Sequence, residues 1–311
     1  MRFVQFPVFA LALVVCPIPA LAADPTALYS DNAWIVMGIE VKAIHQSTLG
    51  QRVIGTDGPA AAASKLLAAF GNPDDRDAIR ELSALHPLLG RITRLTVVTS
   101  EGGEPPASDD FRLFLEGDVD DAALARGIAV VAKQRKLPYR SEAVAGRAVH
   151  IVGQEGRTYR AFRLDKNTVA VVYTAAAVID VLDRMSEKKK SKAPKAVVEA
   201  VRAIDPASTP IWLVVGENRS AHGVDYARMV ATVALGADAT LSIRMEAPDA
   251  AAAVRCRTSL ELYRKIFIVS KDNRLWNGLG ISAKIQTTGT AVTATAVVTG
   301  KTLAEEYAKQ K

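Results

Sequence analysis

Cysteine is almost missing from this chain: its 311 residues include only Cys16 and Cys256. If the N-terminal segment is removed, as argued below, Cys256 alone is left and no internal disulfide can form, so stability has to come from packing. Cys256 stands among Ala251, Ala252, Ala253, Val254 and Leu260, a setting that suits a small buried apolar residue. A reactive thiol would draw on Arg255 or Arg257 to lower its pKa, but no histidine adjoins it in sequence to activate it. Histidine is equally sparse. His45, His86, His150 and His222 are scattered over different elements, with no pair at the helical spacing a zinc site uses. The sequence also lacks a nucleophile elbow and a Gly-rich phosphate loop ending in Lys-Ser or Lys-Thr. Long apolar runs are absent beyond the N-terminus. Stretches such as 169–172 and 211–215 are strand-sized, far below the roughly 20 residues of a spanning helix.

Residues 1–23 carry the clearest positive signal. Arg2 gives a positive start, Phe9, Leu11 and Leu13 lie in an apolar run, and Ala20-Leu21-Ala22 forms a small-x-small cleavage site before Ala23. This pattern predicts a secretory signal peptide and a mature chain that is periplasmic or extracellular. A transmembrane anchor is the alternative, but Pro17 and Pro19 interrupt the run. A lipoprotein signal would need a small residue where Val15 precedes Cys16. The composition, 49% hydrophobic and 23% charged, is that of a chain able to bury a core. A net charge of +6 with interleaved acids argues against nucleic acid as a partner. The one basic cluster, 188–195, has no aromatic residue after it to stack on a base and reads as a solvated linker between helices.

The order of elements is expected to occur twice. In the first half, 31–37 reads as a turn entering a buried strand, 74–85 as a helix, and 92–98 and 111–116 as strands. Asp120 or Asp121 then caps a helix with Leu124, Ile128 and Val131 on one stripe. The runs 148–152, 158–164 and 168–173, separated by short turns, predict an antiparallel meander. In the second half, 165–172 mirrors 31–37. Helices are expected over 175–185 and 194–204, with Pro194 in the first turn. Strands follow at 211–215, 229–235 and 240–245, then a long helix from Asp249 to about residue 268, strands at 280–286 and 291–298, and a closing helix over 301–309. The segment 246–251 resembles 116–123, because in both an acidic strand end precedes a capping aspartate and an alanine-rich helix. The expected fold is therefore α+β: two related repeats, 24–165 and 166–311, each a mainly antiparallel sheet covered on one face by helices. Residues 168–173 can end one unit or start the next, and a single domain around one long sheet is the competing arrangement.

Each polar constellation has an ordinary structural reading. Asp118, Asp120 and Asp121 lack the glycine and distant glutamate of a calcium loop and are read as capping residues. Asp109 and Asp110 form an acidic pair in a Pro-rich loop. His86 stands before Pro87 at a helix end, and His150 alternates with Val149 and Ile151 as an outward-facing strand residue. Trp34 and Trp212 are expected in the core. Trp276, among Asn273, Arg274 and Asn277, is expected in a loop that either folds back over the core or binds a sugar or peptide. No catalytic, cofactor-binding or metal-ligating residue is assigned.

Carried by 32–37, 111–123, 167–172 and 240–251, the pattern resembles exported bacterial proteins that pair a signal peptide with two α+β repeats. That resemblance implies export and architecture and brings no catalytic residues. The leading functional expectation is a non-enzymatic binding or interaction module whose partner is an envelope protein or an apolar ligand held on a sheet face or between the repeats. The alternative is a hydrolase whose site forms only by tertiary convergence.

Overall fold

Apolar residues at nearly every position of 33–39 suit a strand buried on both sides, and that strand lies at the middle of the structure. The computed structural model describes residues 25–53, 91–100, 111–154, 157–219, 224–269 and 274–308. The signal segment, the helix expected at 74–85, His86, Asp109, Asp110 and His222 lie outside the described residues. A short 3-10 turn, Pro25–Leu28, leads into β1 (Ala33–Glu40), which is followed by α1 (Val41–Gln46), α2 (Thr48–Val53), β2 (Ile92–Ser100) and β3 (Arg112–Gly117). Next come α3 (Asp121–Arg135) and the meander β4 (Tyr139–Val144), β5 (Arg147–Gln154), β6 (Arg157–Arg163) and β7 (Thr168–Val172). The remaining elements are α4 (Ala175–Met185), α5 (Lys195–Arg202), β8 (Ile211–Val215), a small hairpin of β9 (Asn218–Arg219) and β10 (Asp225–Tyr226), β11 (Arg228–Leu235), β12 (Ala239–Glu246), α6 (Ala250–Val269), α7 (Arg274–Ser282), β13 (Lys284–Thr288), β14 (Ala291–Val298) and α8 (Gly300–Ala308).

The sheet is continuous. Twelve strands lie in the order β13-β14-β12-β11-β8-β1-β2-β3-β7-β6-β5-β4, and each neighbouring pair is antiparallel. The two halves of the chain meet where β1 pairs with β8. The expectation of a separate sheet for each half is thus corrected. So is the expectation of one covered face, because successive residues of β1 feed opposite layers. Ile39 packs with Leu95, Val119 and Leu124 beside α1 and α3, and Ile35 packs with Val215, Cys256 and Leu260 beneath α6. Val36 points the other way and joins Phe114, Phe162, Val178, Val197 and Trp212 beneath α4 and α5. Placing β7 in the second unit, as the 24–165 and 166–311 division does, separates it from its partners: it is hydrogen-bonded to β3 on one side and β6 on the other.

Side-chain caps set the helix starts. The Asp120 carboxylate accepts a hydrogen bond from the Ala123 amide at 2.6 Å, which also holds that carboxyl below its usual pKa range, and the Asp249 carboxylate accepts one from the Ala252 amide at 2.7 Å. Asp121 pairs with Arg163 at 3.1 Å, and Asp118 donates its amide to the Arg91 carbonyl. Pro194 is the residue before the first turn of α5 rather than a member of it. The basic stretch 188–195 is a linker, as expected, and is stitched to the N-terminal segment. Lys192 donates its amide to Asp31, Ser191 donates its hydroxyl to the Tyr29 carbonyl, and Lys189 pairs with Asp180.

Two expectations fail at 271–286. Asn277, Gly278 and Gly280 look like turn formers, yet 274–282 is the helix α7, and β13 starts only at Lys284. Tertiary packing overrides local propensity here. Asn277 donates to the Ile268 carbonyl at 2.7 Å, and a Cβ on Gly280 would lie 2.6 Å from the Ile268 nitrogen, so glycine is what lets the two helices touch. Trp276 accordingly sits on a helix and stacks on Phe267 with ring centroids 4.9 Å apart.

Candidate functional site

The junction of the two halves places Gly38 of β1 directly opposite Trp212 of β8. A Cβ at residue 38 would lie 2.1 Å from Cζ2 of Trp212, so the missing side chain is the space the indole occupies. Trp212 is only 6% exposed, and among the described residues its Nε1 has no hydrogen-bond partner. Trp34, the other expected core tryptophan, is half-buried and donates from Nε1 to the Glu217 carbonyl at 2.8 Å.

Beside Trp212 opens a cavity of about 170 Å³, lined from the first half by Tyr29, Glu40 and Arg94 and from the second by Arg202 and Ile204. The cross-strand registers β1–β2 and β2–β3 set Arg94 between two carboxylates. It bonds Glu40 through Nε and reaches Glu116 at 3.4 Å through Nη1. Burial pushes both carboxyls up, and Arg94 offsets only part of that rise. Arg94 itself is raised: burial works to lower it, but the two carboxylates outweigh burial.

A second, larger hollow of about 390 Å³ lies on the same face of the sheet, across the 203–210 loop, and Ile204 lines both. Its floor is Val230 with the hydroxyls of Thr232 and Ser242, and its wall carries Arg228, Arg244 and Glu246. Glu246 accepts from Arg228 at 2.7 Å and from Arg244 at 3.3 Å, and the Arg228 bond holds its carboxyl below the usual range. The loop is fixed by Asp205, whose carbonyl accepts from the Thr209 hydroxyl at 2.7 Å and whose carboxylate accepts from the Ala207 amide at 3.1 Å. The hollow therefore offers guanidinium and hydroxyl donors beside the apolar side chains of Val230 and Ile204, which suits a ligand with an apolar body and an acceptor group at one end. It is neither a dry apolar groove nor a cleft with two facing free carboxylates.

Residues singled out from sequence lie elsewhere. Cys256 is fully buried on the sheet-facing side of α6, its Sγ donates to the Asp225 carbonyl at 3.3 Å, and burial pushes the thiol pKa up. Arg255, the candidate for activating it, pairs with Asp225 at 2.9 Å. His150 corrects the expectation of an outward-facing residue. It is buried because α3 covers that face of β5, it lies 3.0 Å from the Tyr139 hydroxyl, and burial lowers its pKa. His45 lies in α1, 3.3 Å from the Gln51 amide. Among the described residues no cluster of three or more His, Cys, Asp or Glu is placed to hold a metal ion. The Glu40–Arg94–Glu116 array was missed because its members are far apart in sequence and only strand pairing joins them; the available signal was Arg94, a charge inside the strand β2. Comparison with protein-family models, with curated proteins and with solved structures finds no match to this chain.

Proposed function

We propose that this is an exported binding module of two related α+β units, whose ligand or envelope partner occupies the Arg228–Arg244 hollow of the second unit. The single observation behind it is the repetition of strand registers about the β1–β8 pair. Met37 stands opposite Leu213, and counting outward from this strand pair matches β2 with β11, β3 with β12, β7 with β14 and β6 with β13. Further out, Arg94 opposite Glu116 corresponds to Arg228 opposite Glu246, and Leu115 opposite Val169 corresponds to Met245 opposite Val292. Phe162 opposite Ala170 corresponds to Gln286 opposite Thr293. The capped helices α3 and α6 follow the corresponding strands β3 and β12 and lie on the same side of the sheet.

Under this reading the first unit ends after β7, the counterpart of β14, and β4 and β5 are additions to it. Export rests on the 1–23 pattern, and the likeness to exported two-repeat proteins belongs to the same proposal. Binding is favoured over turnover because Glu40, Glu116 and Glu246, the glutamates beside the two hollows, are each tied to arginine. Titration with short-chain fatty acids and acidic peptides, followed by amide shifts, tests it. Shifts centred on Thr232, Ser242 and Arg244 support the proposal. Hydrolysis of a defined substrate that is abolished by Glu116→Gln replaces it with the hydrolase reading, whose basis is the raised pKa of the two buried glutamates.

A further inference from the structure

On the opposite side of the sheet, α6 packs inward through Ala252, Ala253, Cys256 and Leu260. Its outward side is not the polar surface this arrangement leads one to expect. Val254, Leu262 and Val269 recur there at helical spacing and are 63%, 58% and 70% exposed. Exposed Ile266 adjoins Leu262 and Val269 at helical spacing, with exposed Tyr263 on its flank, and α7 adds the exposed Ile281 and the half-exposed Trp276. A contiguous set of large apolar side chains on a monomer surface marks an interaction site.

Charge narrows the occupant. Along α6 the sequence AAAAVRCRTSLELYRKIFIV carries four basic residues and one acid, and that acid, Glu261, is bonded to Arg264 at 3.4 Å. Arg255, Arg257 and Lys265 are exposed among the apolar residues. A two-fold contact between copies of the chain would set these cations against one another, so a second copy is disfavoured. The surface is the convex side of a helix, which a bilayer accepts without a matching groove, whereas a protein partner would have to supply one. Apolar residues interleaved with long cationic side chains and edged by Trp and Tyr are the chemistry of an interfacial helix on anionic lipid. No helix among the described residues is long and apolar enough to cross a membrane, so the contact is peripheral.

We propose that the outward side of α6, with the exposed edge of α7, docks on an anionic lipid bilayer. This stands apart from the ligand-binding reading, because the two hollows open on the other face of the sheet. The test is co-sedimentation of the full chain with phosphatidylcholine vesicles with and without phosphatidylglycerol, at low and high salt. Binding is expected to need the anionic lipid and to weaken as salt rises. The double variant Leu262→Ser, Val269→Ser and the charge reversal Arg257→Glu, Lys265→Glu should each lower the partition coefficient about tenfold or more. All four positions are exposed, so both variants should retain the wild-type thermal midpoint, and the fold is checked by that measurement. Absence of binding by the wild-type chain overturns the proposal. So does a dimer that both variants dissociate, which would assign the surface to a second copy, and so does stoichiometric binding of an acidic protein without any lipid binding.

Discussion

Gly38 and Trp212 face each other across the strand pair that joins the two halves of the chain, and the indole fills the volume where a side chain at 38 would stand. Gly38→Ala should therefore overpack the junction and lower stability by about 1–3 kcal/mol, measured by thermal or urea unfolding. In a Trp212→Ala background the same change should cost little, because the atoms it collides with are gone, so a double-mutant cycle should show strong coupling. Additive effects would contradict this packing.

Asp180 holds two deeply buried cations. It pairs with Arg112 and, at 2.7 Å, with Arg184, whose side chains are 3% and 1% exposed. Asp180→Asn leaves two buried guanidiniums short of charge and should cost about 3–5 kcal/mol. Bonds from Arg184, Lys189 and Arg112 overcome the effect of burial and hold its carboxyl well below the ordinary value of 3.8. A depressed carboxylate contributes stability above its unfolded pKa and loses it as pH falls through the folded one. The wild-type chain should accordingly lose stability below about pH 4 by a component that Asp180→Asn lacks.

Glu40 and Glu116 have the opposite sign. Both are raised above 4.5 by burial, so folding favours their protonated forms. Their contribution is complete below the unfolded pKa and is lost as pH rises through the raised folded value. Glu40→Gln should remove part of that loss and be near neutral at pH 7, since Arg94 keeps Glu116. The double change Glu40→Gln, Glu116→Gln should be strongly destabilising. In the Arg228–Glu246 pair the side chains are 25% and 34% exposed, and Glu246→Gln should cost about 1 kcal/mol or less.

Cys256 should react with a thiol reagent only when the chain is unfolded, because burial both shields the sulfur and raises its pKa. Rapid stoichiometric labelling of the native protein would contradict this.

The alternation and caps of the strand-rich segments were legible in the sequence. The strand Ile211–Val215, the helix Ala175–Met185 and the Asp120 and Asp249 caps are where periodicity and capping chemistry place them. Features decided by distant partners were not. His150 follows strand alternation to a face that would be exposed on a one-sided sheet, but α3 lies over it. Gly278 and Gly280 read as a turn until the Ile268 backbone makes Gly280 a contact point within a helix. The β4 strand, polar along most of its length and exposed, is held by pairing with β5, which no local pattern announces. The site was hidden for the same reason. Arg94 and Glu116 are 22 positions apart and Arg228 and Glu246 are 18 apart, and only strand register brings each pair together.

The most direct test is native mass spectrometry of the protein purified from its own host, for the wild type and for Ser242→Trp, which fills the larger hollow. A stoichiometric extra mass on the wild type that is lost in Ser242→Trp, with both chains equally stable, is the expected result. A wild-type chain carrying no bound molecule, or a bound mass that Ser242→Trp retains, would contradict binding at the Arg228–Arg244 hollow.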